Sequence, residues 1–139
     1  MLNNLGIRIL RTVLLVAVVA LLVYGLISFM IARGLTQADR YSQEAHPSDY
    51  GLGYEDVEFP SRHGGLMLSG WYLPEDSDSP HIIFVHGIGS VRSGNNAVEL
   101  ASRLVDFGFN VLMFDLRGHG SSGGDRVSGG YFERWDVLG

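Results

Sequence analysis

Between Thr12 and Ala32 the chain runs for 21 residues without a charge, most of them Val, Leu, Ile and Ala. As a helix rising about 1.5 Å per residue, this stretch covers about 30 Å, the thickness of a bilayer's hydrocarbon core. Backbone in lipid must satisfy its own polar groups, so the run is expected to be helical. Arg8 and Arg11 precede it and Arg33 follows it, placed so that their long side chains can reach the headgroups. A cleaved secretory leader should have a shorter apolar core of about 7–15 residues and a small-x-small site. Thr36-Gln37-Ala38 is a poor match and lies beyond Arg33, so a retained anchor is the expectation. Two Arg and the terminal amine before the run favour a cytoplasmic N-terminus, with the rest of the chain outside.

After a short N-terminal tail (residues 1–11) and the spanning run (12–32), residues 33–54 are polar and without lasting period, and read as a tether. From Glu55 the pattern changes. Val57 and Phe59 alternate with Asp56 and Glu58, the period of a half-buried strand. Arg62-His63-Gly64-Gly65 supplies a turn, and Leu66 to Leu73 alternates again up to Pro74, so the two segments predict an antiparallel hairpin. Glu75 to Pro80 is a loop.

His81-Ile82-Ile83-Phe84-Val85-His86 is a short, continuous apolar run bounded by Pro80 and Gly87. Such a run predicts a strand covered on both faces, as in a parallel sheet. Asn96 is placed to cap a helix reaching about Phe107, with Val98, Leu100, Ala101, Leu104 and Val105 as its apolar stripe and Gly108 as its stop. Val111 to Phe114 predicts a second buried strand, and strand–helix–strand at this spacing predicts a right-handed βαβ unit. Leu116 to Gly130 is a glycine-rich loop, and Tyr131 to Leu138 opens another helical pattern. The fold class is therefore α/β: a β-hairpin plus βαβ over residues 55–139, behind a single transmembrane helix.

Composition narrows the function. The net charge is −5, and the ten basic residues are all Arg and dispersed, so no nucleic-acid partner is expected. The absence of cysteine excludes a thiolate nucleophile, a disulfide framework and a thiolate metal site. No metal is expected at His81 and His86 either, since residues five apart on a strand face opposite sides. A nucleotide-binding turn fits poorly, because Gly87-Ile88-Gly89-Ser90-Val91-Arg92 has Arg where a dinucleotide fingerprint needs its third Gly, and the chain has no Lys for a P-loop.

Two turns follow the two buried strands: His86-Gly87-Ile88-Gly89-Ser90 and Asp115-Leu116-Arg117-Gly118-His119-Gly120-Ser121-Ser122. In a parallel sheet both lie at the edge where α/β proteins place their sites. An apolar strand then His-Gly, and a second then Asp-x-Arg-Gly-His-Gly-x-Ser, resembles the third and fourth strands of the α/β-hydrolase family of serine hydrolases. The resemblance covers residues 55–139. It implies that the backbone N–H of Ile88 donates to the oxyanion of a tetrahedral intermediate. It implies structural roles for His86, Gly87, Asp115, Arg117, Gly118, His119 and Gly120, which hold the loops. It implies no cofactor and a small-molecule, lipid or peptide substrate, while the apolar run makes the lipid bilayer a partner through residues 12–32.

Gly120-Ser121-Ser122-Gly123-Gly124 formally matches the nucleophile motif G-x-S-x-G. That motif needs a strand immediately before it and a helix immediately after, and Ser122 has neither, so it is expected to be a decoy. The family's nucleophile, acid and base would all follow Gly139. Its fifth strand would too, which would leave Ile82 to Val85 as an open apolar edge. The chain thus reads as the N-terminal portion of a single-pass, membrane-anchored hydrolase of an ester, thioester or amide, inactive by itself. The alternative is a membrane-tethered remnant without catalysis.

Overall fold

The structure, a computed structural model, describes residues 3–139 and divides into two units, one ending at Thr36 and one from Gln37 to Gly139. The first unit is one helix, α1 (Asn4–Thr36), with no buried side chain. It is long and apolar enough to cross a membrane. The Asn3 side-chain oxygen caps it by accepting the Gly6 N–H at 2.8 Å. The helix is longer than the uncharged run at both ends and takes in most of the expected N-terminal tail, of which residues 1 and 2 lie outside the described residues. Arg8, Arg11 and Arg33 are good helix formers, so nothing stops the helix where the apolar run stops.

The second unit is built on strands β1 (Glu55–Pro60), β2 (Met67–Leu73), β3 (His81–Val85) and β4 (Asn110–Phe114), with helix α2 (Ala97–Asp106) between β3 and β4. The sheet order is β1-β2-β4-β3. β1 and β2 form the expected hairpin, with Glu55 opposite Tyr72 and Pro60 opposite Met67. β2 runs antiparallel to β4, and β4 runs parallel to β3. Gly70 is required where β2 crosses β4, because a Cβ there would lie 2.8 Å from the Met113 carbonyl oxygen and 2.9 Å from the Phe114 Cβ.

Alternation along the strands divides the core. Trp71, Leu73, Val111 and Met113 pack against Ala97, Val98 and Ala101 of α2. Leu68 and Phe114 point to the other face and meet Leu116. Leu100, expected in the stripe of α2, is 48% exposed. Asn96 precedes the helix but does not cap it: its φ is +60° and its side chain makes no cap hydrogen bond, so it serves as a left-handed entry residue instead. Gly108 ends the helix region at φ +89°.

Three further expectations are corrected. β3, at the sheet edge as expected, is not covered on both faces, since Ile83 is 51% and Val85 40% exposed. The helical pattern from Tyr131 yields only a 3-10 turn, Glu133–Trp135. The stretch read as a tether is, from Gln37 onward, part of the second unit. Gln37 bridges Arg126, Pro47–Tyr50 forms a 3-10 turn, and His46 sits edge-on to Tyr54 and Trp71 with ring centroids 4.7 and 4.8 Å away.

Candidate active site

The turns after β3 and β4 lie side by side because these strands are parallel neighbours. Two histidines join them reciprocally. His86, on the first turn, accepts the Leu116 N–H at its Nε2 (3.0 Å) and donates from Nδ1 to its neighbour's carbonyl, Gly87 O (2.8 Å). His119, on the second turn, accepts the Gly89 N–H at its Nε2 (3.3 Å) and donates from Nδ1 to Arg117 O (2.8 Å). Both rings are therefore neutral Nδ1–H tautomers, both are buried, and their centroids are 4.9 Å apart. With both nitrogens of each ring engaged, neither histidine has a nitrogen free to shuttle a proton.

Burial, and the proximity of His119, hold the His86 pKa below its ordinary value, against the opposing pull of the Gly87 carbonyl and Asp115. The unfolded chain then binds a proton that the folded chain refuses. The resulting stability is fully present above the ordinary value near 6.5 and is lost as pH falls through the folded value. The thermal midpoint of the second unit is expected to fall between pH 7.5 and pH 5, and to fall less in His86→Gln. A midpoint unaffected by acid, or an equal slope in the variant, would contradict this account of the brace.

The bracing leaves the Ile88 N–H free. Among the described residues the Ile88 N–H has no hydrogen-bond partner, and Ile88 is 60% exposed. Gly87 before it has open space where a side chain would stand, and Gly89 after it has φ +76°. A free, fixed and accessible N–H on a turn flanked by glycines can hold a developing negative charge without first breaking another bond.

The rest of the second turn is fastened from below. Asp115 is fully buried and accepts the backbone N–H of Arg92 (2.8 Å) and of Ser121 (3.1 Å). The Arg92 guanidinium pairs with it at 3.5 Å and lies 4.1 Å from the Trp71 ring centroid. Arg117 forks onto Asp136, with Nη2 2.7 Å from Oδ1, and also donates to Ser61 Oγ and His63 O. Its partner is thus a carboxylate of the 3-10 region, which ties the turn to the β1–β2 connection. Gly118 holds φ +72°, and at Gly120 (φ +44°) a Cβ would run into the Asp115 carboxylate. His86, Gly87, Asp115, Arg117, Gly118, His119 and Gly120 all lie in these two turns.

Ser122 is buried, with its Oγ donating to Asp115 O and accepting the Ser69 N–H at 2.9 Å. That hydroxyl is a structural pin with no route to a substrate. Ser48 bonds the His46 ring at 2.9 Å, but the nearby Asp49 accepts the His46 backbone N–H, so this is a local turn with no carboxylate orienting the ring. Arg92 went unnoticed in the sequence except as the residue spoiling a dinucleotide fingerprint. A lone Arg inside an otherwise small and apolar loop was the available signal that it is buried and paired.

Known proteins share this fold. The family model described as serine aminopeptidase, S33, matches residues 77–137. A Mycobacterium tuberculosis protein, MT2364, is 32% identical over 118 residues, 82% of this chain and 41% of that one. The lysophosphatidylserine lipase ABHD12 of Bos taurus is 42% identical over 55 residues, 39% of this chain and 14% of that one. The solved structure of the Pyrococcus furiosus esterase Pf2001 superposes with a TM-score of 0.66 at 31% identity, covering 74% of this chain and 39% of that one. The chain spans between a quarter and two fifths of the first curated relatives it matches, at 25%, 28% and 41% of their lengths.

Proposed function

We propose, from the premise that this chain belongs to the α/β-hydrolase family, that it supplies the membrane anchor and half of the oxyanion hole of a serine hydrolase. The observation that carries the proposal is the Ile88 N–H, an exposed donor without a partner among the described residues, on a turn braced by two histidines. A serine outside residues 1–139 attacks a carbonyl carbon. The carbonyl oxygen gains the charge, and Ile88 N–H is one of the donors that receive it. A histidine other than His86 and His119 takes the nucleophile's proton and passes it to the leaving group. The bond is an ester, thioester or amide. The esterase and the lipase among the relatives favour an ester.

Helix α1 anchors the protein as a single pass, with the hydrolase domain outside the cytoplasm, as the Arg flanks favour. One experiment tests anchor and chemistry together. The uninterrupted reading frame containing these codons is expressed, the membranes are washed with alkaline carbonate, and a fluorophosphonate probe is added. The expected result is a labelled polypeptide that stays in the membrane pellet, with the probe on a serine outside residues 1–139. Release by carbonate contradicts the anchor. Labelling at Ser122 contradicts the site. Absence of labelling favours a tethered remnant without catalysis.

A further inference from the structure

The two turns of the site are held to one another by histidines, and both are held by a third segment, residues 37–46, in the stretch that the sequence pattern reads as a tether. Arg40 donates from Nη1 to the carbonyls of Gly120 and Ser122, both at 2.8 Å, and from Nη2 to that of Gly124 at 2.6 Å. The Gln43 amide donates to Asp115 Oδ2 at 2.9 Å, and its oxygen accepts the Ser93 hydroxyl at 2.8 Å. Ser93 Oγ in turn accepts the Glu44 N–H at 2.7 Å. With the Ala38 N–H donating to Asp125 O at 3.1 Å, one short strap thus grips the loop after β4 at five points and the loop after β3 at Ser93.

We propose that this strap positions the Ile88 turn, with Arg40 and Gln43 as its positioning residues; the proposal rests on Ile88 being the oxyanion donor. The physical case begins with the loop. Gly118, Gly120, Gly123 and Gly124 make its backbone costly to order. Three of its carbonyls converge on one planar guanidinium, whose fixed fork of donors suits such a cluster. His119 rides on that loop and reaches Gly89 through the longest bond of the histidine brace, 3.3 Å. A bond of that length survives only while its base is held still. Loss of Arg40 frees the loop, then His119, then Gly89 and the N–H beside it. Arg40 and Gln43 touch no reacting atom, so their effect reaches Ile88 only through the loops.

The test uses the full 139-residue chain in detergent micelles and reads amide hydrogen exchange by residue, with the His119 ring nitrogen shifts alongside. In Arg40→Ala, exchange at Gly89 and at Gly118, Ser122 and Gly123 is expected to quicken about tenfold or more, while the β1–β2 ladder and α2 keep wild-type rates. The His119 Nε2 resonance is expected to shift as its bond to Gly89 weakens. Arg40→Lys, which keeps the charge but not the fork, is expected to recover part of the protection. Gln43→Met, close in size but unable to bond Asp115 or Ser93, is expected to loosen the same amides and serves if Arg40→Ala fails to fold. Unchanged exchange at Gly89, or equal acceleration across the whole sheet, would overturn the proposal. If Ile88→Pro left hydrolysis by the polypeptide of the uninterrupted reading frame intact while Arg40→Ala still freed Gly89, the strap would stand and the oxyanion role of Ile88 would fall.

Discussion

Replacing Asp136 by Ala is expected to destabilise the second unit by about 3–5 kcal/mol, the usual cost of leaving one member of a buried ion pair without the other. Asp136 has no exposed side-chain surface and the Arg117 side chain is only 7% exposed. The carboxylate accepts the Arg117 backbone N–H at 2.9 Å as well as the guanidinium, so its removal strips the turn of a backbone bond and a counter-charge together. The remaining partners, Ser61 Oγ and His63 O, are neutral acceptors and leave the cation uncompensated. The loss exceeds what a surface pair could cause, since exposed ion pairs contribute about 0–1 kcal/mol. Near-ultraviolet circular dichroism, which reports on Trp71 and Trp135, is expected to show the thermal midpoint falling by roughly 15 °C or more. Asp136→Asn, which keeps the shape and two acceptor lone pairs, is expected to fall less. A change of only a few degrees in Asp136→Ala would mean that the fork does not anchor the turn.

The sequence made the sheet legible because its signals are local. Period-2 alternation at Val57 and Phe59 and the turn at Gly64-Gly65 define the hairpin without reference to anything distant. The apolar runs ending at His86 and Asp115 define the two parallel strands, and the glycines after them mark the turns. What the pattern could not carry was partnership across the chain. Arg40 grips carbonyls more than 80 positions away, and backbone acceptors leave no trace in residue type, so the strap looked like a tether. The same cause explains the missing helix after Gly130. Glu133 there turns back to bond Ser128 and the Gly130 N–H, and Asp136 is drawn to Arg117, so the carboxylates of that segment serve the loops instead of a helix face. For β3, the apolar run fits cover on both faces only if an element packs on each; Phe84 faces the cluster formed with α2, while Ile83 and Val85 alternate to the other face and are exposed.

The functional turn was legible for a different reason. The resemblance to the α/β-hydrolase family, carried by His-Gly-Ile-Gly after an apolar strand, implied a backbone donor at Ile88, and in the structure that N–H has no partner among the described residues. Several neighbouring groups have an occupation: Gly89 N–H is taken by His119, Ser90 N–H by Gly87 O, and the His86 ring by Leu116 and Gly87. The Ile88 N–H stands exposed among these engaged groups.

The second large effect follows from that. Proline at position 88 removes the N–H, and Ile88 has an exposed side chain and is not among the residues with positive φ, while the preceding residue, Gly87, tolerates a wide range of backbone angles. The measurement that tests the central claim most directly is therefore ester turnover by the membrane-bound, fluorophosphonate-reactive polypeptide carrying Ile88→Pro, set beside Ile88→Ala, which keeps the N–H. The account predicts that kcat falls about 10²–10³-fold in Ile88→Pro while KM changes little, and that Ile88→Ala retains most of the wild-type rate. An Ile88→Pro protein that is folded and turns over within about twofold of wild type, a loss far below that of any oxyanion donor, would contradict it.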